Sequence, residues 1–122
     1  MKNLANCPNR EFLQQAAKIR APFKAWLETT GIPAIRARRP ADYDTLTDAE
    51  KIKADIAQGR ANFADMVAAA LEKDFDNTVN LICLFTFTDP ADFDSVPRAD
   101  WMSALIECLQ SDTVKDFFTL SI

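Results

Sequence analysis

The sequence predicts an all-α fold: a compact single-domain bundle, residues 1–122, of six or seven mostly short helices around a buried central helix at about 77–87. Three observations carry this. Apolar residues recur at intervals of three and four along most of the chain, and no stretch shows the alternation of a half-buried strand. Two glycines in 122 residues leave few of the tight turns an all-β fold needs. The stretch 77–87, NTVNLICLFTF, is apolar on nearly every side of a helical wheel, which marks an element covered from several directions.

In chain order, Asn9 is a favourable N-cap with Glu11 well placed against the helix dipole. The stripe Phe12, Ala16, Ile19, Phe23, Trp26 and Leu27, spaced 4, 3, 4, 3 and 1, stays in phase across Pro22. One kinked helix, or two nearly collinear ones, should end before Gly31. At most a short helical turn fits between Pro33 and Pro40. Thr47 and Glu50 form a capping box for a surface helix over 48–58, with Ala49, Ile52 and Ile56 on a narrow apolar edge and Gly59 as its stop. A separate amphipathic helix over 61–73 carries Phe63, Met66, Val67, Ala70 and Leu71. Asp76 is read as the cap of the central helix. Asp89-Pro90 and Ser95-Val96-Pro97 each read as a cap and helix start. Trp101, Leu105, Cys108 and Leu109 then point inward, and Ser111 caps a last short helix with Val114, Phe117 and Phe118.

Composition removes several functional classes. The chain has no histidine, which excludes histidine bases and histidine-containing metal sites. Three cysteines without CxxC spacing read as free thiols. Cys7 sits near a helix start but lacks a histidine base. Asp89, Asp92 and Asp94 cluster without the order of a calcium loop, so capping explains them and no metal or other cofactor is expected. Arg36, Arg38 and Arg39 lie in a connection with Asp42 and Asp44 close enough to neutralise them. A net charge of −4 with dispersed acids argues against nucleic-acid and membrane-surface binding. The longest apolar run is too short to cross a bilayer, and the N-terminus does not read as a signal peptide, so a cytoplasmic protein is expected.

Twelve aromatic residues are many for a domain this size, and most fall at core spacing. Phe93, in a short acidic turn, and Phe117 with Phe118, on a terminal helix, are the candidate partner anchors. The order of motifs resembles the small tail assembly chaperones of long-tailed bacteriophages and prophages of Gram-positive bacteria. The similarity rests on NREFL (9–13), IPAIR (32–36), LICLFTFTDPADFDSVP (81–97) and ALIECLQSDTVKDFF (104–118). The segment 41–59 matches no part of that pattern. The resemblance implies a helical, non-enzymatic protein of the host cytoplasm that holds the tape measure protein soluble and helps recruit tail tube subunits, with self-association also open. The alternative is a phage or mobile-element inhibitor of a host protein. Acidic mimicry by such an inhibitor asks for carboxylates gathered on one face, whereas here they are scattered.

Overall fold

The computed structural model describes residues 1–119, and within them the fold is all-α. Its helices are α1 (Asn9–Thr30), α2 (Ile32–Arg36), α3 (Asp48–Lys73), α4 (Phe75–Phe85), α5 (Arg98–Gln110) and α6 (Asp112–Thr119). Two 3-10 turns, Tyr43–Thr45 and Pro90–Ser95, lie in the connections before α3 and α5.

α1 runs unbroken through Pro22 and buries Ala16, Ile19, Phe23, Trp26 and Leu27, the stripe expected from spacing. Its end is set by Gly31, whose φ of +69° is left-handed and whose N–H donates to the Leu27 carbonyl. Glycine adopts that conformation without the Cβ clash other residues meet. Pro33 follows within the first turn of α2, and Ile32 and Ile35 pin that short helix to the core.

The largest departure from expectation is α3. The expected helices over 48–58 and 61–73 are one helix of 26 residues, and Gly59 lies inside it. A helix of that length spans about 39 Å. The capping box at its start forms as read: the Thr47 hydroxyl accepts from the Glu50 N–H at 3.2 Å, and the Glu50 carboxylate accepts from the Thr47 N–H at 2.9 Å. The C-terminal half buries Asn62, Met66, Ala69 and Ala70. No residue of the N-terminal half is buried.

α4 is the central element, packed against α1, α3, α5 and the second 3-10 turn. It spans Phe75–Phe85, so Phe87 lies beyond it. Asp74 occupies the cap position, and Asp76 falls within the first turn, where its charge faces the helix N-terminus. A buried junction ties three helices together. The Trp26 indole N–H donates to the Thr78 hydroxyl at 2.8 Å, and that hydroxyl lies 2.8 Å from the carbonyls of Ala70 and Asp74.

The end of α4 is closed from elsewhere in the chain. The Thr88 N–H donates to the Cys83 carbonyl, the buried Gln15 side chain to the Leu84 carbonyl at 2.7 Å, and the Leu4 N–H to the Phe85 carbonyl at 3.1 Å. Phe87 takes the left-handed position of this cap with φ +53°, where glycine is the usual occupant. Lys2 lies over its ring at 4.8 Å and pairs with Glu11.

Smaller expectations change as well: Pro8 holds the cap position of α1, and Asn9, expected there, is its first helical residue. Pro97 and not Ser95 precedes α5, and the Ser95 hydroxyl instead donates to the Asp92 carbonyl. Trp101 is partly buried at the edge of the core; the enclosed indole is Trp26, with no exposure.

Candidate partner-binding surfaces

Consecutive residues on a helix point about 100° apart, so on a short helix packed from one side Phe117 and Phe118 meet different surroundings. Ser111 starts α6 by accepting the Val114 N–H at 3.1 Å, which fixes the helix phase. Phe118 then turns inward, 2% exposed, with its ring 5.7 Å from Phe23 and 6.0 Å from Phe85. It is a core residue and not a surface anchor. Phe93 is partly buried against the same core from its 3-10 turn. Of the three expected anchors only Phe117 is open, 48% exposed, resting 5.6 Å from Phe12 and edge-on to Phe118. Beside it is a small apolar cavity of about 210 Å³ that also touches Leu4, Val114 and Glu107. Burial there pushes the Glu107 carboxyl above its ordinary value.

The larger uncovered surface is on α3. Ala49, Ile52, Ile56, Gly59, Phe63, Met66 and Ala70 are spaced 3, 4, 3, 4, 3 and 4, one continuous heptad face. Met66 and Ala70 place the C-terminal half of that face in the core, and Phe63 packs at its margin. The N-terminal half of the same face is open: Ile52 is 63% exposed and Ile56 52%. The spacing was visible in the sequence, but Gly59 divides it into two segments, each too short to show that the face is continuous.

The other flank of α3, whose exposed N-terminal half forms an arm, carries the arginine-bearing connection. Arg38 pairs with Asp65 at 2.8 Å, its carbonyl accepts from Asn62, and the Tyr43 hydroxyl donates to Asp55 at 2.9 Å. Arg36 reaches the Gln110 carbonyl and Asp112, both at 2.6 Å. Asp65 and Asp112 thus take the charges that sequence proximity assigned to Asp42 and Asp44. Between the connection and α3 lies an open cleft of about 830 Å³ lined by both signs of charge, Arg36, Arg38 and Arg39 with Asp42, Asp44 and Asp55.

Among the described residues no group of three or more Cys, Asp or Glu side chains is placed to hold a metal ion, and no helix is long and apolar enough to cross a membrane. Cys83 and Cys108 are buried in apolar packing, and their thiols are pushed up by that burial, Cys108 far above the usual range. Asp89 accepts from the Ala91 N–H at 2.9 Å, which is the capping role read from sequence. No protein-family model, curated protein or solved structure matches this chain.

Proposed function

We propose that this protein is a tail assembly chaperone of a long-tailed phage or prophage, acting by binding and not by catalysis in the host cytoplasm. Its clients on this reading are an apolar helical stretch of the tape measure protein and, in recruitment, tail tube subunits. The observation that carries the proposal is the bare apolar face of α3 at Ala49, Ile52 and Ile56, on a helix anchored at its other end in the core. A long helical client has apolar faces that aggregate when left uncovered, and a rigid helix with its own unpaired apolar face covers them by side-by-side packing. Phe117, half-exposed on α6, offers a second apolar contact.

Co-expression tests this directly. A tape measure protein encoded beside this chain should be soluble only in its presence and should co-elute with it on a sizing column. Ile52→Lys with Ile56→Lys should abolish both effects and leave the melting temperature nearly unchanged, since neither side chain is buried. A tape measure equally soluble alone, with no complex, would refute the assignment and favour an inhibitor of a host protein.

A further inference from the structure

Near the middle of α3 is a groove of about 370 Å³ lined by Asp55, Ile56, Gly59, Arg60, Phe63 and Gln110. Four of these, Ile56, Gly59, Arg60 and Phe63, stand at i, i+3, i+4 and i+7. That diamond is the arrangement by which one helix receives a single side chain from a helix packed against it. Its floor is Gly59. A Cβ built there meets no atom within 4 Å, so no close internal approach demands the glycine. Gln110, at the end of α5, closes the groove where the buried half of α3 begins.

We propose that this groove is a docking hole for one large apolar side chain from an amphipathic helix of another protein. The helix would lie along the face formed by Ile52 and Ile56. The inference rests on the binding role proposed for α3 and adds the position and chemistry of the contact. Charge specifies the visitor further. Lys53 and Arg60 flank the stripe on one side, and neither takes part in an ion pair among the described residues. Asp48 and Asp55 flank it on the other side, Asp55 also accepting from the Tyr43 hydroxyl. A matching helix carries acidic residues along the first edge and basic residues along the second.

A second copy of this chain is a poorer occupant. An antiparallel copy sets Lys53 and Arg60 against the same residues of its mate, and Asp48 and Asp55 likewise. A parallel copy reconciles the charges but drives its own α3 into α5 at Gln110, because both cores occupy the face beyond Phe63.

The test uses the full chain and a synthetic helical peptide about three heptads long, with leucine along its seam. Glutamate lies on the edge meeting Lys53 and Arg60, and lysine on the edge meeting Asp48 and Asp55. A second peptide has the two edges exchanged. Titration calorimetry at low salt should show the first peptide binding at least about ten-fold more tightly than the second. Gly59→Trp, which fills the hole, and Ile56→Glu should each weaken the first peptide by about ten-fold or more while the circular dichroism spectrum is retained. Absence of binding by the first peptide, or equal binding by Gly59→Trp, would overturn the docking hole. A wild-type protein that binds the peptide yet fails to keep a tape measure soluble would overturn the chaperone reading and leave the hole standing.

Discussion

Thr78 holds its place through one hydroxyl shared among α1, α3 and α4. Replacing it with valine keeps the shape and strands the Trp26 indole N–H in a site with no water access. Thr78→Val should therefore cost about 1–3 kcal/mol in a urea titration, the penalty for a buried donor left unmade. The two terminal phenylalanines should separate as sharply. Phe118→Ala empties a site enclosed by Phe23 and Phe85 and should cost about 3–5 kcal/mol, whereas Phe117→Ala removes a half-exposed ring and should cost under about 1 kcal/mol. Glu107 gives a pH signature. Burial holds its carboxyl above the ordinary 4.5, so the folded protein binds this proton more tightly than the unfolded chain. The resulting stability is present in full below 4.5 and is lost as the pH rises through the raised value. Glu107→Gln should match wild type in acid and melt higher at neutral pH; equal melting at both would remove the burial argument.

At the scale of elements, the two glycines show why one boundary was legible and the other was not. Gly31 precedes Ile-Pro, and Pro33 has no N–H with which to extend α1, so the stop is written twice. Gly59 is followed by Arg60, Ala61 and Asn62, which continue a helix readily, and a single glycine costs too little to break it. The continuous backbone ladder of α3 decided the matter. Gly59→Ala should stabilise by about 0.5–1 kcal/mol, and Gly31→Ala should destabilise by about 1–2 kcal/mol because of its left-handed φ. The α1 stripe, the capping box and the central helix were legible because each is a local pattern. The partners of Arg36 and Arg38, Asp112 and Asp65, lie 76 and 27 residues away and carry no local signal. Trp101 had the spacing of a core residue, but its depth depends on neighbours outside its own helix. Within α3 itself, amide hydrogen exchange should divide the helix: amides over 48–58 exchange through local opening, and those over 62–72 only with the core. Uniform protection along α3 would show that the arm is held by contacts the fold does not contain.

Over the whole molecule, the first long helix lies between elements made much later: α1 packs on α4 and α6, and its Gln15 closes the end of α4. During synthesis α1 leaves the ribosome with Phe12, Phe23 and Trp26 facing water and no surface to rest on. α2 and α3 give it partial cover, but its main partners come late: α4 starts 49 residues after Trp26 and α6 starts 86 after it. The chain is thus its own first aggregation hazard, and a truncated product should behave as one. Deleting residues 111–122 strips Phe118 from Phe23 and Phe85, and the remainder should bind a hydrophobic dye and precipitate on concentration. A soluble, cooperatively melting fragment would show instead that α1 finds its fold before the last helix is made.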